Sequence, residues 1–353
     1  MNSIHQKIIN AIIQKSQTVC PGALALIGIY GSVATKDLHE KSDLDLLILI
    51  QSEDGYKLAT GFILSDSEIG YDIYCMDWER MQNDADCHSA HLARLMDSEI
   101  VYVKDQSALD LLYRLREETK RFLASPLRFE RVAACIDRAK ICYANACLQS
   151  DLGKVRCEVF GVITYLADAA MLCHGRYFKR GTKRMLQELA ALPIENSFLD
   201  TIKAIAQAQS QEELRTLTRC LLQYAEKAFI PQNTPKTPSE ALAGTYEEMF
   251  SNWRNKVAEA EKNGDTLSSF MNLCSLQLML DDIAHDTEIG HYDLMGNYDP
   301  HNLSHNTKLY DACLSDYETI YQKAHLQVKR YPNVDAFVED YLTQRKQQRT
   351  STP

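Results

Sequence analysis

Residues 24 to 50 constrain this chain more than any other stretch. Leu24 to Tyr30 is apolar and reads as a strand. Gly31-Ser32 then starts a short helix, which ends before the charged turn His39-Glu40-Lys41, and Asp43-Leu44-Asp45 opens a second strand that runs to Ile50. Side chains two apart on a strand share a face, so Asp43 and Asp45 point one way and Leu44 and Leu46 the other. Past its first residues the second strand is apolar on both faces, as expected of a strand buried between layers. Two carboxylates side by side at its start need a chemical reason.

The flanking sequence completes an α/β unit. Ile4, Ile8, Ile9, Ile12 and Ile13 form the stripe of an amphipathic helix over residues 3 to 18, which Pro21-Gly22 breaks. Glu68 to Asp77 reads as a third strand, with Tyr71, Ile73 and Cys75 on one face and Asp72 and Tyr74 on the other. Glu99 to Lys104 adds a short strand, and Ser107 to Leu123 a helix. Beyond Pro126 the strand signals stop. Apolar residues at three- and four-residue spacing predict helices over 127–150, 154–174, 182–191, 196–208 and 211–229. The segment from Pro231 to Pro238 holds three prolines and reads as a linker. Helices over 239–262, 266–285, 307–329 and 333–346 follow, with an irregular loop from Asp286 to Asn306. The expected organisation is an α/β domain over 1–125 with a small mixed sheet and helices, an all-α region over 126–230, a linker over 231–240 and a second helical segment over 241–353.

Composition narrows the partners. A net charge of -10 disfavours a broad grip on nucleic-acid phosphates and suits a small, cationic molecule better. The 11 cysteines include no Cys-x-x-Cys pair, which fits reduced thiols in a reducing compartment. No apolar run approaches the roughly 18 to 20 residues of a membrane span, and Met1 to Gln17 lacks the apolar core of a signal peptide, so a cytoplasmic location is expected.

Two carboxylates on one strand face can hold two divalent cations about 3.5 to 4 Å apart. Asp72 is placed to supply a third carboxylate, with Glu68 and Asp77 as rivals. Magnesium commonly takes one or two carboxylates together with substrate phosphates. Gly31 lets a phosphate approach the backbone, and Ser32 offers it a hydroxyl and nearby N–H donors. The pattern points to a nucleoside triphosphate site.

Gly31-Ser32, ten intervening residues, then Asp43-Leu44-Asp45 between apolar strands, with Asp72 on a later strand, resembles the nucleotidyltransferase superfamily of DNA polymerase β type. The branch that includes the aminoglycoside and lincosamide adenylyltransferases looks closest, because there too a helical domain follows the catalytic one. The resemblance covers about residues 20 to 80 and implies two Mg2+ ions, one on Asp43, Asp45 and Asp72 and the other on Asp43 and Asp45. It implies transfer of a nucleoside monophosphate, AMP from ATP, to a hydroxyl of a small molecule, an aminoglycoside-like acceptor among the candidates. The basic patch Gly175 to Arg184 is similar to the Ser/Thr-Lys turn by which helical domains of such enzymes reach the phosphates, so Lys183 and then Lys179 are the expected contacts. Glu158 is the helical-domain carboxylate that the resemblance offers as general base. The alternatives are a catalytically silent regulatory or antitoxin-like binding protein, and transfer to a protein or an RNA end. Cys87, His88 and His91 read as helix-surface residues rather than metal ligands. His301 and His305, with Asp293 and Asp299, read as a connecting loop. Asp281, Asp282 and Asp286 read equally as a solvated helix end or as a lure for an amino-sugar.

Overall fold

The computed structural model describes residues 3–35, 37, 43–181, 184–231, 237–287 and 289–350. It divides into two compact units, Met1–Pro231 and Gln232–Pro353. Within the first, α1 (Ser3–Val19) leads into β1 (Leu24–Ile29), α2 (Gly31–Thr35), β2 (Leu46–Ile50), β3 (Thr60–Leu64), β4 (Ile69–Ile73), β5 (Cys75–Met76), α3 (Trp78–Ala85), α4 (Ala93–Met96), β6 (Glu99–Val103) and α5 (Gln106–Ala124). The helices α6 (Arg128–Leu148), α7 (Leu152–Cys173), α8 (Met185–Leu189), α9 (Asn196–Gln207) and α10 (Gln211–Phe229) follow.

The main sheet has the order β5-β2-β1-β6. β1 runs antiparallel to β2 and β6, and β2 parallel to β5, so the sheet is mixed. All five residues of β2 are buried, and their alternation splits them between two cores. Leu46, Ile48 and Ile50 pack with Ile9 and Ile12 of α1 and with Tyr71 and Ile73 of β4. Leu47 and Leu49 pack with Met81, Leu95, Leu112 and Leu115 from α3, α4 and α5. Each such side chain contributes about 1.5–3 kcal/mol by leaving water, so a charge at Ile48, which has no exposed surface, would break both the strand and its packing.

The third expected strand is divided. Tyr74 separates β4, which pairs with β3 in a separate hairpin, from β5, which joins the main sheet. β3, with its Thr60-Gly61 start and half-exposed residues, carries a weak sequence signal and adds to the expected elements, as do α3 and α4. Asp77 caps α3, accepting from the Arg80 N–H at 2.9 Å and from the Tyr56 hydroxyl at 2.8 Å. Those two bonds hold its carboxyl below the usual range and give this rival of Asp72 a structural task.

The helices α6 to α10 share one core, in which Val132, Ile136, Val162, Leu166, Phe198, Leu221 and Phe229 are buried. No break between compact units falls near residue 125. The Phe178 N–H donates to Ala90 O at 2.8 Å and the Tyr177 hydroxyl to Asp97 at 2.8 Å, so the basic patch is tied to the loops of the α/β layer.

The second unit holds α11 (Pro238–Leu242), α12 (Thr245–Met249), a π-helical turn (Phe250–Arg254), α13 (Asn255–Asn263), α14 (Thr266–Asp286), α15 (Leu303–Lys323) and α16 (Val334–Thr350). The single helix expected over 239–262 is broken at Gly244, which adopts φ 83, a left-handed conformation that favours glycine. Part of the expected linker, from Pro238, is helical. Tyr310, Leu314, Tyr317 and Tyr321 of α15 fall on one buried stripe, and the Tyr310 hydroxyl donates to Met249 O just before the π-helical turn. His305 Nε2 lies 3.0 Å from Asn297 O, while Asp299 and Asp293 accept backbone N–H bonds at 2.8 Å, so these residues shape their loop. Among the described residues no helix is long and apolar enough to cross a membrane.

Candidate active site

Antiparallel pairing of β1 with β2, with Ile29 opposite Leu46, brings the end of the first strand to the start of the second. The Tyr30 N–H donates to Asp45 O at 3.1 Å, which extends the ladder to Asp45 itself. Gly31 follows with φ 67. A Cβ there would stand 1.9 Å from Asp45 Oδ2 and 2.6 Å from its Cγ, so glycine is required by both backbone and space. The Ser32 backbone N–H donates to the Asp45 carboxylate. Burial, and then the charge of Asp43, push the Asp45 carboxyl above its usual range, and burial followed by the Asp45 charge pushes up the Tyr30 hydroxyl.

These residues line a cleft of about 400 Å³. Its other wall carries Lys179, Arg180 and Arg184 from the basic patch, with Asp84, His91 and Arg94 between. Most of the charge is organised in pairs. Arg184 binds Asp37 through Nε at 2.8 Å and Nη2 at 2.9 Å, and Arg94 makes the same two-pronged contact with Asp84 at 2.5 and 2.7 Å. Glu188 accepts the backbone N–H bonds of Lys179 and Arg180, both at 2.8 Å, and so sets the turn that presents them. Asp43, Asp45 and Lys179 stand outside those pairs. The Ser32 hydroxyl is buried with no hydrogen-bond partner among the described residues.

The structure therefore brings Gly31, Ser32, Asp43, Asp45 and Lys179 together. Lys183 lies outside the described residues. Asp72 is not among the side chains lining the cleft; it meets Asp43 on an open surface depression beside the β3–β4 hairpin. Ile48 pairs with Cys75, and three residues back along the two chains stand Asp45 and Asp72, but the break at Tyr74 ends the pairing first. Among the described residues no three His, Cys, Asp or Glu side chains form a group that could hold a metal ion. Glu158 is also displaced. It lies near the start of α7, with the Asn145 side chain 3.5 Å away, and does not line the cleft.

Two residues that the sequence reading did not single out, or assigned elsewhere, stand in its place. Asp168 lies ten residues further along α7, about 15 Å at the helical rise, and is only 3% exposed. Its carboxylate accepts from the Ala90 N–H and the Ser89 hydroxyl, and its Oδ1 is 3.8 Å from His91 Nε2. His91 is in the loop between α3 and α4 and lines the cleft, stacked on Phe178 at 4.8 Å, so it is not a helix-surface residue. One local signal existed: Asp168 is the single acid in the apolar run Leu166 to Leu172.

Burial pushes the Asp168 carboxyl up, against the charge of His91. The groups facing it are His91 and, from α6, Cys135, whose thiol is pushed up to about 12 by burial and then by Asp168. A carboxyl raised in the fold contributes most below its unfolded value of about 4 and loses that contribution as pH rises through its folded pKa. Asp168→Asn is accordingly expected to gain stability relative to wild type between pH 4 and pH 7 in denaturant titrations. A difference that stays constant with pH would contradict this assignment.

The family model described as "Nucleotidyltransferase domain" matches residues 6–85. No curated protein matches the chain. Among solved structures the chain is similar to a nucleotidyltransferase-like protein from Exiguobacterium sibiricum 255-15, at 11% identity, covering 70% of this chain and 80% of that one with a TM-score of 0.33. The strand-turn-strand element that carries Gly31, Ser32, Asp43 and Asp45 thus lies inside a nucleotidyltransferase domain spanning residues 6–85.

Proposed function

We propose that this protein moves a nucleoside monophosphate, AMP from ATP, onto a hydroxyl of a small molecule in a magnesium-dependent reaction. The observation that carries the reading is the packing of Gly31 against Asp45, beside Asp43, in a cleft whose other wall is basic. Two hard oxygen donors at one strand start fit Mg2+, which draws its remaining ligands from substrate phosphates and water. Asp43 and Asp45 would hold it. When bound, the ion supplies charge neutralisation at the reacting phosphate and acidifies the attacking hydroxyl.

The chain's own residues do the rest by positioning. Gly31 lets Asp45 pack directly against the backbone rather than leaving that space to the triphosphate, and the Ser32 hydroxyl, which has no partner among the described residues, donates to a phosphate oxygen. Lys179 meets the departing pyrophosphate as a point charge. The Arg184–Asp37 and Arg94–Asp84 pairs keep the walls in place, so little reorganisation accompanies transfer.

Purified protein with ATP and Mg2+ is expected to release pyrophosphate only when a suitable acceptor is present, with AMP added to that acceptor by mass. ATP binding without turnover across a broad panel of hydroxyl compounds would favour the silent binding protein instead. Cation binding has its own readout. Saturation at about 100 times the dissociation constant stabilises a protein by roughly 2.7 kcal/mol. At about 2–4 °C per kcal/mol for a unit of this size, Mg2+ or Mn2+ should raise the thermal midpoint of wild type by several degrees and that of Asp45→Asn by far less.

A further inference from the structure

The cleft leaves the fate of the acceptor's proton unassigned. Asp84 and Asp37 are engaged by arginines, and Glu158 lies about three helical turns from Asp168. His91 is different. It lines the polar cleft and also a neighbouring cavity of about 450 Å³, whose walls include Phe160, Ile163, Met185, Leu186 and Ile202. Among the described residues it is the one common to both. Among the described residues that cavity is lined by no carboxylate; its described polar lining besides His91 is Thr164, Lys203 and Gln207, and Lys203 is paired with Asp200 at 2.9 Å.

We propose that His91, oriented by Asp168 at the seam between cleft and cavity, accepts the proton of the acceptor hydroxyl, and that the acceptor has an apolar body seated in the cavity. This rests on the nucleotidyl-transfer reading above and names its base and its substrate class.

Three features hold His91 for this task. Asp168 clamps the loop through the Ala90 N–H and the Ser89 hydroxyl, and Ala90 O in turn accepts from the Phe178 N–H. Phe178 stacks under the imidazole with an interplanar angle of 22°. Asp168 Oδ1 has no hydrogen-bond partner among the described residues and faces Nε2 at 3.8 Å, which leaves Nδ1 as the nitrogen turned away from the carboxylate. A buried carboxylate is costly unless something nearby repays it, and an imidazolium formed during turnover does so.

The step balances. The acceptor oxygen forms a bond to the α-phosphorus, the bond from that phosphorus to the bridging oxygen breaks, pyrophosphate leaves with the electron pair, and the hydroxyl proton passes to His91 Nδ1. Asp168 is a positioning residue that stabilises the resulting cation. A polycationic acceptor finds no counter-charge among the described residues that line the cavity. An alcohol with an aromatic or aliphatic body finds apolar walls and one base.

The test uses the full chain with ATP and Mg2+. Turnover is measured with 4-phenyl-1-butanol, related aryl and alicyclic alcohols, and an aminoglycoside. Wild type should prefer the apolar alcohols, with kcat falling at acid pH. His91→Ala is expected to lower kcat about 100-fold or more, to leave ATP binding by calorimetry within about twofold, to lose the acid limb and to recover activity with added imidazole. Ala206→Trp, at an exposed position on the cavity wall, should raise the KM for the alcohol about tenfold with ATP binding unchanged, as expected when a bulky ring competes for an apolar site. Transfer that persists in His91→Ala with an unchanged pH profile overturns the base. Preference for the aminoglycoside, or an unmoved KM in Ala206→Trp, overturns the substrate class. Absence of transfer in wild type overturns the function and this inference together.

Discussion

Asp43→Asn is expected to abolish nucleotidyl transfer, with kcat reduced about 1,000-fold or more, while the protein stays folded. The magnitude follows from charge: preorganised electrostatic groups at a reacting phosphate contribute more than other devices, and the substitution removes one of the two carboxylates proposed to hold the ion. The fold tolerates the change because Asp43 is exposed and precedes β2, whose five residues carry the packing. Burial and the charge of Asp43 both raise the Asp45 carboxyl, so removing Asp43 relieves a repulsion and should leave the cation-free protein at least as stable. Pyrophosphate release and thermal midpoints measured side by side separate the effects. Activity near wild type in Asp43→Asn would remove this strand start from the chemistry.

Gly31→Ala is the second large effect and acts by a different route. Its φ of 67 costs an L-residue about 1–2 kcal/mol, and the new methyl would overlap Asp45 Oδ2. The contact extends to Asp45 Cβ at 3.0 Å, so rotating the carboxylate away does not clear it and the strand start must shift. Displacement of about 1 Å in a positioned group can cost about 100-fold in rate. The variant should therefore lose at least that much kcat together with its response to Mg2+, which chemical denaturation, turnover and calorimetry read independently. Unchanged Mg2+ binding in Gly31→Ala would mean that Asp45 does not hold the ion.

The parts of the site visible in the sequence are those built within one short stretch. Gly31, Ser32, Asp43 and Asp45 sit on a strand-turn-strand element, where alternation assigns faces and the antiparallel return brings both ends together. Lys179 was accessible through the density of basic residues around it. Asp72 shows where that logic stops. Its face was readable, since Tyr71 and Ile73 pack inward with α1, but the break at Tyr74 and the pairing of β4 with β3 are decided by which strand offers the better partner. Gly244 breaks a helix that periodicity alone reads as continuous.

His91 and Asp168 mark the other limit. They are 77 residues apart in sequence, and neither has a local pattern that points to the other. Helical spacing made Glu158 and Asp168 alike as acids on one helix. Only the packing of the bundle against the α3–α4 loop buries one beside His91 and leaves the other, about 15 Å away, on a different stretch of α7. The sequence by itself determined the α/β core, the paired carboxylates and the Gly31-Ser32 turn, because short-range periodicity and turn chemistry are properties of consecutive residues. The tertiary structure decided the cleft, its ion pairs and the His91–Asp168 pair, because burial and charge contact depend on which distant surfaces meet.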